Sequence, residues 1–377
     1  MIGTTLGLLV FAVSARWSYE DAYDNVEGGA WYEGVNNEEA SLAWGEGYVM
    51  SSLAAMYRAT THPMYLERLA EHIDAVLAQR DDARGVADYR GVSGACWRNM
   101  SYQAEPYCYA VHTGQIITPM LEFVRAVQSS PWAEQLAADG ESFADKADRY
   151  LTAAQESVAF HEFEWDDDGF YRFPADLGSL PSPGGAQPLN QSNALGRAHI
   201  LLAAITGDPE QLAKATALAT YFRAQIDTGG DGAYLWNYRG GAYANGGEDI
   251  SHAAINVEFA VMAAEQGIVF DQNDVAAFAR TFTQRVYVND ATFADHVGGG
   301  ETNTSSYRPQ IGRWVVLAPS SPTVYAAVRD AYERDYSAAS LSSGSVLLGW
   351  ALLAEHEPKL CAPFFYSADW DDQGDVR

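Results

Sequence analysis

The amino-acid sequence predicts an all-α protein, an (α/α) toroid of helical hairpins with short β-hairpins in its loops. Three observations predict it. Apolar residues recur at helical spacing in ten segments. A T-x-x-P-x-x-L pattern occurs twice, at Thr60 to Leu66 and at Thr206 to Leu212, each time between two helical segments. Long Gly- and aromatic-rich stretches separate the hairpins. Repeated hairpins build either an open solenoid or a closed ring. The long aromatic connections, all at one end of the pairs, favour a ring whose central cleft they line.

In chain order, the first helical segment runs over 38–60, with Leu42, Tyr48, Val49, Leu53, Met56 and Tyr57 in phase. The second begins at Pro63, a good first-turn residue, and carries Leu66, Leu69, Ile73, Val76 and Leu77 on one face. Further helices are expected at 109–129, 142–162, 191–206, 209–226, 251–266, 273–287, 322–336 and 340–356. Ser251 and Asn273 or Asp274 suit N-caps, and Gly267 suits a C-terminal stop. Two Asp-Gly turns followed by aromatics, Asp168-Gly169 and Asp231-Gly232, suit short hairpins.

The chain has 377 residues, with 23 Lys and Arg against 50 Asp and Glu, a formal charge of −27. Nucleic-acid binding needs a basic footprint that this chain lacks. The same charge opposes docking on anionic membranes, and no apolar run reaches the length of a membrane span. Lysines are scarce: Lys146, Lys214 and Lys359. Residues 1–15 read as a signal-peptide remnant, with an apolar run from Leu6 to Val13 and then Ser14-Ala15. A secreted or periplasmic location follows, with 16–377 as a single catalytic domain. Cys96 and Cys108 suit either a disulfide or free buried thiols, and with Cys361 they lack metal-ligand spacing. No nucleotide-binding, zincin or G-x-S-x-G pattern occurs. Asp166-Asp167-Asp168-Gly169 and Asp369 to Asp375 each match only half of a calcium loop, and read as solvated acidic turns.

The 10 Trp, 22 Tyr and 15 Phe are a generous share, and core packing explains most of them. Many sit beside Gly, Asp and Asn, as in clefts where sugar faces stack on rings. Polar groups join them in three places. Trp97-Arg98 leads into Tyr109-Ala110-Val111-His112-Thr113-Gly114. Trp236-Asn237-Tyr238-Arg239 precedes Glu248-Asp249-Ile250-Ser251-His252. Asn303, Tyr307-Arg308 and Arg313-Trp314 form the third, and Asn190-Gln191-Ser192-Asn193 opens a further helix. Glu248 and Asp249 also suit a helix dipole, and His112 and His252 also suit packing roles.

The segments Tyr109 to Gly114, Glu248 to Ala253 and Arg308 to Trp314 resemble toroidal polysaccharide lyases acting on uronic acids. Glucuronan and alginate lyases are the nearest, and the helical domains of glucuronyl C5-epimerases are related. The resemblance implies β-elimination of a 4-linked uronate polysaccharide, an anionic partner, with no cofactor or metal. His252 and Tyr307 would handle protons, with His112 beside them. Arg308, Arg313 or Asn193 would hold the carboxylate and the charge developing on it. Trp97, Arg98, Trp236, Tyr238, Glu248 and Asp249 would contact substrate. The alternatives are a uronyl C5-epimerase and a toroid glycoside hydrolase. The hydrolase needs two carboxylates, here Glu248 or Asp249 with one from Asp166 to Asp168. A non-catalytic carbohydrate-binding scaffold would need only the aromatics.

Overall fold

A computed structural model describes residues 14–26, 34–290, 292–302, 308–336 and 343–358. Helices α1 (Ala15–Asn25), α2 (Gly47–Thr60) and α3 (Met64–Ala78) come first, followed by the single turn α4 (Asp81–Arg84). Then come α5 (Ala110–Gln128), α6 (Phe143–Ala159), α7 (Leu189–Thr206), α8 (Pro209–Ala224), α9 (Ile250–Glu265) and α10 (Gln272–Thr281). A 3-10 segment, Arg308–Leu317, precedes α11 (Pro322–Asp335) and α12 (Gly344–Glu355). The described strands form three two-stranded antiparallel hairpins. β1 (Trp165–Asp166) pairs with β2 (Phe170–Tyr171), and β3 (Asp227–Thr228) with β4 (Tyr234–Leu235). β5 (Tyr287–Asn289) pairs with β6 (Thr292–Phe293).

The elements close into two concentric rings. The inner ring runs α2, α5, α7, α9, the 3-10 segment and α12, and α12 returns to α2. The outer ring places α3, α6, α8, α10, α11 and α1 against these in turn. Burial explains the assignment. α5, α7 and α12 are buried on nearly every face, as an inner helix must be. α3 and α6 bury one stripe and expose the rest. The two T-x-x-P-x-x-L stretches are the tight links from α2 to α3 and from α7 to α8. Both Asp-Gly turns form the expected hairpins.

Helix ends differ slightly from expectation. Asp249, not Ser251, caps α9, and Asp271 with Asp274 forms a capping box on α10. α1 and the 3-10 segment were not foreseen. α1 packs Tyr19 and Tyr23 inward and closes the outer ring against α12. Cys96 and Cys108 form a disulfide in the loop before α5, an oxidised pair of the kind kept outside reducing compartments. Residues Met1 to Val13 of the expected leader, Lys359, Cys361 and Asp369 to Asp375 lie outside the described residues.

The inner ring is tight because glycines stand where helices touch. A Cβ on Gly114 of α5 would lie 2.4 Å from the Ala194 backbone of α7. A Cβ on Gly344, at the start of α12, would lie 2.3 Å from the Gly45 carbonyl oxygen. Gly114→Ala therefore forces α5 from α7 and is expected to destabilise by about 1–3 kcal/mol. Gly178→Ala, whose added Cβ meets nothing within 4 Å, should change little. Thermal unfolding of both variants checks the difference. Equal melting temperatures would contradict the close helix contact.

Candidate active site

The long connections all precede inner helices, so they gather over the N-terminal ends of the inner ring. There they frame a cavity of about 280 Å³. Its aromatic walls are Trp44, from the turn before α2, Tyr102 and Tyr109, from the loop before α5, and Tyr238, from the loop before α9. Tyr102 is half exposed, and its hydroxyl accepts a bond from Trp44 Nε1 at 2.8 Å. The polar lining is Asn190 and Gln191 in the first turn of α7, with Arg239 and His252.

His252 is oriented by its own helix cap. Asp249 accepts the backbone N–H groups of Ser251 and His252, both at 3.0 Å. Its second oxygen lies 2.5 Å from His252 Nδ1. Burial pushes the Asp249 carboxyl up, but the bonds from His252 outweigh it and hold the group below its usual range. An ionised Asp249 thus fixes the imidazole, whose other face lines the cleft beside the Tyr238 ring at 5.1 Å. Burial is the main cause that pushes Tyr238 up to about 12, so it stands ready as a proton donor. α5 and α7 have no capping side chain, which leaves positive helix ends at the cleft floor.

Several other expected residues are placed differently. His112 is fully buried beneath the Trp44, Tyr102 and Tyr109 rings. Asn37 donates to its Nδ1 at 3.1 Å, and burial lowers its pKa to about 3. It is therefore a neutral floor residue and no proton carrier near neutral pH. Trp97 is core, donating to the Val76 carbonyl at 3.0 Å. Arg98 pairs with Glu38 at 2.7 Å. Arg308 pairs with Asp335 at the end of α11 and does not line the cleft. Tyr307 and Asn303 lie outside the described residues. The Asp166 to Asp168 turn leans on α8, with Phe170 stacked on Tyr221 at 4.5 Å and Asp166 held by Arg172. It supplies no carboxylate opposite Asp249.

Asn193 and Arg313 lie deeper, in a polar layer across the ring axis. Asn193 donates to Asn256 at 2.7 Å, and Asn256 donates to Glu248 at 2.6 Å. Arg197 of α7 bonds Gln115 of α5 and Glu258 of α9. Arg313 donates to Tyr48 of α2 at 2.9 Å and to Gln310 at 3.1 Å, and Gln310 reaches Ser345 of α12 at 3.2 Å. Every inner element contributes. Trp236 is buried and donates to Glu248. Burial raises the Glu248 carboxyl well above its usual range.

Sequence reasoning flagged His252, Asp249 and Tyr238 but gave no role to Trp44 or Tyr102. Both carried a signal in their aromatic character beside polar, turn-rich stretches. Arg239, Asn190 and Gln191 stood in flagged segments without being singled out.

No protein-family model and no curated protein sequence matches this chain. Its fold is similar to that of solved structures. The GH76A α-1,6-mannanase of Salegentibacter sp. HEL1_6 superposes with a TM-score of 0.56 at 12% identity, covering 91% of this chain and 97% of that one. The unsaturated glucuronyl hydrolase of Bacillus sp. GL1 gives 0.54 at 13%, covering 91% and 95%. Dfg5 of Chaetomium thermophilum, solved with glucosamine, gives 0.53 at 13%, covering 91% and 89%. The chain has the (α/α)-toroid fold of these proteins. Two of the three are named as hydrolytic enzymes and none as a lyase, so the lyase resemblance read from the sequence narrows to a likeness of fold.

A buried carboxyl with a raised pKa is a stability cost that grows with pH. The unfolded chain ionises Glu248 above its ordinary pKa while the folded chain keeps the proton, so stability falls as pH rises. Glu248→Gln keeps the acceptor for Trp236 and Asn256 without that loss. It is expected to unfold at a higher temperature than the native chain at pH 8 and at about the same temperature at pH 4. Thermal scans at the two pH values check this. A variant that is less stable at pH 8 would mean that the charge, not the shape, is required.

Proposed function

We propose that the protein is an enzyme that cleaves a polysaccharide bound across the aromatic cleft, with His252 as the proton-transfer residue and Asp249 as its orienting partner. The observation that carries this reading is the Asp249–His252 pair set among stacking rings at the N-terminal mouth of a toroid. Trp44, Tyr102 and Tyr109 offer faces for pyranose rings, which supports an extended saccharide over a compact metabolite.

Glycosidic hydrolysis is the first reading of the reaction. It is supported by the neighbours. A variant of the Salegentibacter mannanase with two consecutive aspartates replaced is described as inactive, in complex with α-1,6-mannotriose. The adjacent carboxyls Glu248 and Asp249 parallel such a pair chemically, and their environments push their pKa values apart. In this role Glu248 must reach the glycosidic oxygen from behind Trp236 and Asn256.

β-Elimination from a uronate is the second reading, and a specific observation favours it. The cleft lining among the described residues carries His252, Tyr238, Arg239, Asn190 and Gln191 and no carboxylate. Those groups suit removal of a C5 proton by His252, protonation of the leaving oxygen by Tyr238, and neutralisation of the sugar carboxylate by Arg239. Arg239 makes no ion pair among the described residues, which supports an anionic polymer. C5-epimerisation shares the first step. The disulfide supports a secreted or periplasmic setting.

One assay separates these. Neutral and uronic-acid polysaccharides are incubated with the enzyme, and reducing ends and ultraviolet absorbance are followed together. New reducing ends without absorbance mean hydrolysis. Both signals together mean elimination, and neither, with solvent deuterium entering C5, means epimerisation. His252→Asn is expected to lower kcat by about 10²–10⁴-fold with the fold intact. Full activity in that variant would overturn the role of His252.

A further inference from the structure

Three aromatic rings of the cleft meet over one buried imidazole. The His112 ring centre lies 5.6 Å from that of Trp44, 5.6 Å from Tyr102 and 5.2 Å from Tyr109. It stands at 90° to the Trp44 plane and is inclined to the other two by 65° and 50°. All three aromatic residues line the cleft. Hydrogen bonds tie two of their polar edges. Trp44 Nε1 donates to the Tyr102 hydroxyl, and the Tyr109 hydroxyl donates to Gln103 Oε1 at 2.6 Å.

The proton on His112 is placed by backbone groups. Ala43 N–H donates to Asn37 Oδ1 at 3.1 Å, and the Trp97 carbonyl accepts from Asn37 Nδ2 at 2.9 Å. A backbone N–H only donates and a carbonyl only accepts. The Asn37 amide therefore has one orientation, which turns Nδ2 to His112 Nδ1 at 3.1 Å. Nδ1 is the acceptor, so the neutral imidazole carries its proton on Nε2. That nitrogen is buried and has no oxygen or nitrogen partner. Buried N–H groups are rarely left unpaired, and the faces of the surrounding rings are the acceptors that remain.

Asn37, itself buried, fastens the three segments that carry the rings. Ala43 adjoins Trp44. Trp97 opens the loop that the Cys96–Cys108 disulfide closes, and this loop holds Tyr102. His112 stands in the first turn of α5, three residues after Tyr109.

We propose that Asn37 and His112 are positioning residues of the cleft: Asn37 turns the Nε2–H of His112 to the undersides of Trp44, Tyr102 and Tyr109, and the rings are thereby held as a rigid platform for pyranose faces. The proposal rests on the reading of the cleft as a saccharide site. Neither residue touches the sugar. Rings already held in place lose less freedom when a ligand stacks on them. The effect therefore falls on affinity, not on proton transfer at His252. Leucine at position 112 would fill the space, but it would strand an Asn37 N–H and remove the donor beneath the rings.

The first test needs neither variant nor ligand. With histidine labelled by nitrogen-15, two-bond nitrogen–proton spectra tell the tautomers apart. Between pH 5 and pH 8 His112 is expected as the neutral Nε2–H form throughout, with its ring N–H proton moved upfield and cross-relaxing with ring protons of Trp44 and Tyr102. An Nδ1–H tautomer, a protonated ring at pH 5 or the absence of those ring contacts would overturn the placement. The second test is calorimetric binding of mannotriose and of a glucuronate trimer, with kinetics on the polymer that the enzyme cleaves. His112→Leu and Asn37→Leu are expected to weaken binding and raise KM by about 10-fold, with kcat unchanged, as lost ground-state binding does. Native affinity in both variants would overturn the positioning role. If the native chain binds neither trimer, the saccharide reading fails, and the nitrogen spectrum still decides whether Asn37 and His112 hold the rings.

Discussion

A ring of six inner elements encloses an axis, and what fills that axis decides the rest of the structure. In this chain the filling is polar. Ser345, Gln310, Arg313 and Tyr48 join α12, the 3-10 segment and α2, and Gln115, Arg197, Glu258, Asn193 and Asn256 join α5, α7 and α9, all by side-chain bonds. Burying charge is costly unless it is paired, and breaking one half of a buried ion pair typically costs about 3–5 kcal/mol. The layer therefore fixes the rotation of each inner helix about its own axis. Through Asn256 and Glu248 it also sets the start of α9, which is where Asp249 and His252 stand. The cleft geometry is thus inherited from a buried network beneath it.

Much of the fold was legible in the sequence. Ten helical segments, both Asp-Gly hairpins and the two tight links were readable because each is a local signal: period, turn chemistry or first-turn proline. The 3-10 segment was not, since Gly312 and Pro309 break the helical period and only packing against α9 and α12 makes the stretch regular. α1 was hidden because its apolar neighbours resembled a leader. At the site, Asp249 and His252 were each legible at a helix start, but not the hydrogen bond that pairs them. His112 and Trp236 were not separable from them, because nothing local says which way a residue in the first turn or in the loop before it points. His112 turned down into the core, and Trp236 turned onto Glu248.

The charge distribution has its own logic. The two described lysines are used as buried counterions. Lys146, with a side chain 2% exposed, reaches Asp74, Asp139 and Glu141. Lys214, at 7%, reaches Glu162 and Glu210. Most arginines are likewise committed to surface carboxylates, as Arg149 is to Asp74 and Glu141. Each exposed pair contributes little. The chain as a whole keeps a net charge of −27, whose self-repulsion is screened as salt rises.

The way the inner ring closes bears on how the chain reaches this state. The seam that joins α2 to α12 and the 3-10 segment is sewn by residues very distant in sequence. Arg58 meets Glu355 across 297 positions, and Arg313 meets Tyr48 across 265. Such pairings carry the largest loop-closure entropy and slow folding. A ribosome releases α2 long before it makes α12, so the nascent chain is an open crescent with the apolar flank of α2 uncovered. Completion of the ring then waits until α12 has emerged, and the period before it is when the chain most depends on a helper that shields that flank.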